Sequence, residues 1–456
     1  MRQETGNRVF FGLGTIGRDM LYATVSMYLI YYLTEILDLP DQTMWWMTLI
    51  FTVMRIFDAL NDPFMGMIID NTRGRFGKHK PNIALGALLG AVFMVLLFVD
   101  LGLRGAAYLA FFALCYLGWD IFFGINDIAY WSMLPGLSLD QKQREKTGAF
   151  ARICANIGMY IVVVGIIPLT TRLSRELGSP KQAWLLFAMA VAALMLAFQL
   201  FTLMGVRERR DIFKIEGKTT LRGMIRAILG NDQLLFTTLA MVLFTTGYST
   251  TTSLGIYFFK YAYADEGMYP VFALILGAAQ LTALTVFPVF SKRFRRRQLY
   301  QGATVMVVLG YLVFYFSPMN ILYIGAAGML MFIGQAFIQL LMLMFLADTI
   351  EYGQWKLGCR NEAVTFSVQP LISKLGSAMA GGIVGVTLIL SGINGAASAG
   401  DVSSPGIAMM KSAMLLIPLV CILAGYWVYF KKYKIDEAAY QEIVRDLKRR
   451  GDIKPP

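Results

Sequence analysis

The chain has 456 residues, of which 57% are hydrophobic and 15% charged, against roughly 25% charged in an ordinary soluble domain. That balance excludes a water-soluble globule. The net charge of +12, from 41 Lys and Arg against 29 Asp and Glu, would suit nucleic acid or acidic lipid, and the placement of the charges decides between them.

In chain order, the opening MRQETGNRVF has no short apolar stretch followed by a small-residue cleavage site, so no removable signal peptide is read and the first helix directs insertion. Apolar runs predict spans near 10–36, 42–70, 82–101, 105–134, 149–171 and 181–206, then near 232–260, 269–290, 298–317, 320–350, 362–391 and 406–430. The charged stretch 207–230 divides them, giving an N-terminal six-helix bundle (1–206), a cytoplasmic middle loop (207–230), a C-terminal six-helix bundle (231–430) and a cytoplasmic tail (431–456). The tail carries apolar residues at helical spacing and reads as a surface helix. Cys115, Cys154, Cys359 and Cys421 form no C-x-x-C pair and read as packing residues.

With both termini in the cytoplasm, 31 of the 41 Lys and Arg fall in inside segments and 5 in outside connections. That is the bias of a multi-pass inner-membrane protein. It accounts for the basic charge without nucleic acid, and leaves contact with anionic lipid as its second use.

Nine ionisable residues lie far from the predicted helix ends: Arg18, Asp19, Arg55, Asp58, Asp62, Asp120, Asp127, Arg152 and Lys374. A charge at the bilayer centre costs about 2.5–3.5 kcal/mol, so most must face one another or a hydrated cavity. Five carboxylates against four cations leave one negative charge, which a captured Na⁺ or H⁺ would neutralise. Arg55, Asp58 and Asp62 share one helical stripe, and Pro63 is expected to disturb the helix before it and expose carbonyl groups to an ion. Permanent ion pairing between helices is the alternative reading. Asp120, Asp127 and Trp131 share a face of the fourth helix, where a carboxylate beside an indole can hold a sugar; interface anchoring is as good a reading of Trp131 alone. Lys374, about twelve residues and roughly 18 Å into the eleventh helix, is expected to pair with a carboxylate of the first half. The loop NDPFMGMIIDNTRGRFGKHKP sets Arg73, Arg75 and Lys78 beside Asp70 as an inside latch, and His79, the sole histidine, reads as a solvated loop residue.

Through GRDMLYATVSMYLIYYLTEIL, MRIFDALNDPFMGMIID with NTRGRFGKHKP, INDIAYWSMLP, LADTIEYGQWKLGCRNEAVTFSVQ and SKLGSAMAGG, the sequence resembles the glycoside–pentoside–hexuronide:cation symporters of the major facilitator superfamily. The resemblance covers nearly the whole chain. It implies an all-α membrane protein of twelve transmembrane helices in two pseudo-symmetric six-helix bundles. It also implies cation-coupled symport of a sugar, a glycoside or oligosaccharide, by alternating access. Under it, Asp19, Asp127, Trp131 and Arg152 match sugar-contacting positions, with Arg18 at a neighbouring basic position. Asp58 and Asp62 match cation-binding carboxylates, the metal ligands if the ion is Na⁺, with Asp127 completing the set and Asn61 affecting ion choice. Lys374 matches a lysine near the cation site, to be grouped with Arg55 and Asp120 as a charge set.

Departures from the family pattern are Gly124, at the place of a Na⁺-holding threonine, Phe123 for a sugar-site tyrosine, Gln339 for a tryptophan, and Asp120 at a glycine position. The first moves the coupling ion towards H⁺. No cofactor is implied, the partners are a sugar and membrane lipid, and a monomer suffices. A lipid or lysolipid carrier on the same scaffold is the rival reading. A membrane enzyme is excluded by the lack of any H-E-x-x-H or G-x-S-x-G motif, and a receptor without transport is a third possibility.

Overall fold

The computed structural model describes residues 2–37, 39–73, 75–208, 220–265, 268–393 and 399–453, with the side chains of residues 2, 35, 41, 44, 48, 52, 55, 56, 58–60 and 399, Arg55 and Asp58 among them, outside the described set. The protein is built of helices, twelve of them with 19 residues or more among the described residues. Ten are long and apolar enough to cross a membrane by length and composition alone. The other two, α1 (Arg2–Tyr31) and α2 (Asp41–Asn71), together carry five of the nine mid-helix charges, Arg18 and Asp19 in one and Arg55, Asp58 and Asp62 in the other.

Contacts divide the chain into two compact units, the first comprising residues 1–224, 361–367 and 451–456, the second 225–360 and 368–450. The first holds α1, α2, α3 (His79–Leu97), α4 (Gly105–Leu137), α5 (Gln141–Leu177), α6 (Pro180–Gly205) and the short α12 (Glu362–Phe366). Here α1 packs on α5 and α6, α3 on α4, and α2 on α4 and α12. Close approach depends on glycine. A Cβ at Gly17 would lie 2.6 Å from the Met195 Cα of α6, and one at Gly66 would lie 2.7 Å from the Ala363 carbonyl oxygen. Small residues let helix backbones meet where hydrocarbon offers no hydrophobic drive.

The second unit holds α8 (Asp232–Tyr257), α9 (Met268–Arg293), α10 (Arg296–Phe316), α11 (Ile321–Leu357), α13 (Val368–Leu390), α14 (Ser404–Lys432) and the short tail helix α15 (Glu437–Arg449). Helix α8 packs on α13 and α14, α10 on α11, and α11 on α9. A nine-residue helix α7 (Leu221–Leu229) precedes them. Tyr440, Ile443 and Leu447 form the buried stripe of α15, which docks on α11.

Polar caps extend these helices past the apolar runs. Asp140 accepts from the Lys142 N–H at the start of α5, Asn231 from Leu234 at α8, and Asn320 from Leu322 at α11. Each satisfies a donor that the helix leaves open. Pro63 does not break α2, which runs through it. The expected local unwinding is therefore absent, and the ring removes one N–H donor and no more. Cys115 and Cys154 are buried, Cys421 is half-buried and Cys359 is exposed.

Candidate functional site

Three of the mid-helix charges of the first unit, Asp19, Asp127 and Arg152, gather around Arg18. Its side chain is 3% exposed and donates to the carboxylates of Asp127 and, at 3.0 Å, Asp19. The guanidinium carbon sits 5.1 Å from the Tyr130 ring centre and 5.2 Å from that of Trp131, whose ring also carries the Arg152 guanidinium at 4.5 Å. Trp131 is 2% exposed, so it is no interface anchor. Tyr130 donates its hydroxyl to the Phe11 carbonyl and ties α4 to α1.

The result is a centre of two guanidinium groups, two carboxylates and two aromatic rings from α1, α4 and α5. Asp19 and Asp127 are 22% and 23% exposed, which makes them the acceptors within reach of a solute. The Arg18 Nε–H is buried and has no hydrogen-bond partner among the described residues. A polar donor left open in a low-dielectric interior is costly unless a ligand or water fills it. Such a site suits a neutral, hydroxyl-rich molecule that offers both donors and acceptors.

The other expected site residues lie on α2, α4 and α13. Asp62 is buried and Asn61 half-buried on α2, while the side chains of Asp58 and Arg55 lie outside the described residues. Asp120 is half-buried two turns before Asp127 on α4, and Gly124 between them opens on space in which a Cβ would meet nothing within 4 Å. Lys374 is half-buried on α13, in the second unit. No group of three or more His, Cys, Asp or Glu able to hold a metal ion occurs among the described residues.

The loop residues form a second cluster. Asp70 accepts from the backbone N–H groups of Ala363 and Val364 at 3.2 and 3.0 Å, and from Lys78 Nζ at 3.0 Å. Lys78 also reaches Glu362 at 2.7 Å. Burial alone would lower the Lys78 pKa, but Asp70 and Glu362 outweigh it and hold the ammonium above the ordinary lysine range. Arg73 and Arg75 are exposed. His79 is not solvated, as its loop position implied: it is 3% exposed, with Nδ1 3.3 Å from Glu208 and Nε2 3.6 Å from Glu362. Both partners are more than a hundred positions away in sequence, so no local pattern announced them.

Sequence reasoning also missed buried pairs in the second unit. Arg296 pairs with Asp348, and Arg360 with Glu351 at 3.1 Å. Asp348 and Glu351 belong to the LADTIEYGQWKLG segment, near the end of an apolar run, and were not among the charges read as lying mid-helix.

The sequence pattern of the MFS/sugar transport protein family matches residues 10–437. The lactose permease of Lactobacillus delbrueckii subsp. bulgaricus is 32% identical over 98% of this chain and 73% of its own length. The raffinose carrier protein of Pediococcus pentosaceus is 32% identical over 97% and 72%. Among solved structures, the E. coli fucose:proton symporter superposes with a TM-score of 0.65 at 13% identity, covering 94% of this chain and 98% of that one. A proton:xylose symporter gives 0.61 at 14%, covering 95% and 96%. These two show a shared major facilitator fold.

Proposed function

The chain belongs to the MFS/sugar transport protein family, whose members carry solutes across membranes, and from that premise we propose that it is a cation-coupled symporter of a small oligosaccharide. The relatives that carry lactose and raffinose, both galactose-containing oligosaccharides, favour a substrate of that class. The observation that carries the reading is the Arg18 centre: a fully buried guanidinium with one open N–H, between two partly accessible carboxylates.

In this reading Asp19 and Asp127 exchange their ion pairs with Arg18 for hydrogen bonds to sugar hydroxyls, Arg152 donates to the sugar, Arg18 donates its open N–H to a ring or hydroxyl oxygen, and Trp131 braces both guanidinium groups. Asp58 and Asp62, with Asn61 beside them and Asp127 shared, take up Na⁺ or H⁺. Arg18 holds Asp127 in the substrate-free state. A cation that competes for Asp127 frees Arg18 for sugar, so ion and sugar raise one another's affinity by the same factor. Arg55, Asp120 and Lys374 set the charge balance around the ion, and the Asp70–Lys78–Glu362 cluster, with Arg73 and Arg75, acts as the gate on the cytoplasmic side during alternating access. Both termini lie in the cytoplasm, and one chain in the inner membrane suffices. A lysolipid substrate is less well supported, because it would place hydrocarbon against this charged centre.

Sealed vesicles test the reading. Lactose or raffinose added outside should alkalinise the medium if H⁺ is carried, or accumulate only with inward Na⁺ if Na⁺ is. Asp58→Asn with Asp62→Asn should abolish uphill accumulation while sugar binding persists. Intact accumulation in that variant would refute the ion assignment.

A further inference from the structure

In the second unit, a cavity of about 250 Å³ lies where α10 begins and α14 passes into the tail helix. Its wall includes Arg296, Arg297, Tyr433, Lys434 and Glu437, with Phe430 at the rim. The acidic groups here are engaged within the protein: Asp348 on the Arg296 guanidinium, Glu437 on the Arg296 backbone N–H at 2.7 Å, and Asp436 on the Ala439 N–H at 2.8 Å. The Arg297 guanidinium lies 4.3 Å from the Phe430 ring centre. The Tyr433 hydroxyl is buried, and no hydrogen-bond partner for it occurs among the described residues. Burial first, and the Asp348 carboxylate second, push that phenol well above its ordinary pKa, so it is a standing donor.

The surroundings identify what the donors face. Lys431 and Lys432 close the apolar run of α14, which sets the cavity at the level where lipid headgroups meet water. From there Phe430, Trp427, Leu423 and Val420, all exposed and spaced three or four apart, form one apolar face of α14 leading away from the cavity. Polar donors continuous with a greasy helix face match a molecule with a charged head and long tails. A free anion would use the first feature and ignore the second.

We propose that this cavity binds the headgroup of an anionic phospholipid, whose phosphate accepts hydrogen bonds from Tyr433, Arg297 and Lys434 while an acyl chain lies along the Val420–Phe430 face. The site is separate from the Arg18 centre and does not depend on the identity of the transported solute.

The test adds short-chain phosphatidylglycerol, short-chain phosphatidylcholine or inorganic phosphate to the full chain in detergent, and counts bound lipid by native mass spectrometry. Phosphatidylglycerol should bind saturably and about tenfold more tightly than phosphatidylcholine, with inorganic phosphate failing to displace it. Tyr433→Phe, which removes one oxygen, and the double variant Arg297→Gln with Lys434→Gln should each weaken it about three- to tenfold. Lys292→Gln with Arg293→Gln removes the same charge outside the cavity and should leave it unchanged. Equal weakening in that control, or full affinity in Tyr433→Phe, would overturn the site. Displacement by phosphate at matching concentration would overturn the lipid. If the double variant does not fold, Tyr433→Phe decides the question alone.

Discussion

Adding one carbon at Gly17 should damage the Arg18 centre without touching it. A Cβ there would stand 2.6 Å from the Met195 Cα and 2.9 Å from the Leu194 carbonyl oxygen, both backbone atoms of α6 that no rotamer change can move. Carbon atoms rest about 3.5–4.0 Å apart, so α1 must retreat by about 1 Å from α6, displacing Arg18 and Asp19 relative to Asp127. Overpacking of this kind costs about 1–3 kcal/mol, and a shift of about 1 Å at a binding centre can lower function by about a hundredfold. Gly6 lies on the same helix, and a Cβ there meets nothing within 4 Å. Gly17→Ala should therefore lose about 1–3 kcal/mol of stability and at least about tenfold in sugar affinity. Gly6→Ala should be neutral or slightly stabilised, since alanine is the better helix former by up to about 1 kcal/mol. Thermal melting in detergent and equilibrium sugar binding read both. Equal behaviour of the two variants would refute the claim that α1–α6 contact positions the centre.

Arg18→Gln leaves Asp19 and Asp127 facing each other, and should cost about 2–3 kcal/mol, below the usual buried-pair figure because both carboxylates touch solvent. Adding Asp127→Asn should restore stability but not sugar binding, as melting and binding measured on both variants will show. Lys78 gains protons on folding relative to the open chain, so its contribution is complete below about pH 10.5 and fades as pH rises through the elevated folded value. Lys78→Met should accordingly melt lower by an amount that is constant near neutrality, about 3 kcal/mol, and narrows only in strong alkali. Asp100, held below the usual carboxylate range chiefly by the hydrogen bond from Lys181, contributes stability above about pH 3.8 that is lost as pH falls through its lowered value. Asp100→Asn and the parent should differ in melting temperature near neutral pH and converge in acid.

Much of the helix inventory was legible because each span is a long apolar run, and hydrocarbon permits little else. The run near 181–206 became α6 at Pro180–Gly205, and that near 105–134 became α4 at Gly105–Leu137. Where ends were misread, polar residues were the cause. Helix α5 starts at Gln141, eight residues before the apolar run, because Asp140 caps it, and α11 continues to Leu357 because Asp348 and Glu351 are buried in pairs. The run near 362–391 hid a break between Phe366 and Val368, with residues 361–367 belonging to the first unit. Arg18, Asp19 and Asp127 were visible as charges out of place, and the cost of burying them demanded that they meet. Tyr130, Glu208 and Glu362 were not, since a tyrosine in an aromatic-rich chain and an acid near a helix end carry no such penalty until the fold buries them.

The distribution of thiols has a practical consequence. Cys359 is the exposed one, and it immediately precedes the point, Arg360 to Asn361, at which the polypeptide leaves the second unit for the first. A maleimide fluorophore applied to the unaltered protein would react there before it reached the buried Cys115 and Cys154. The natural sequence thus supplies a dye attachment point beside the connection between the two units, ready for single-molecule recordings.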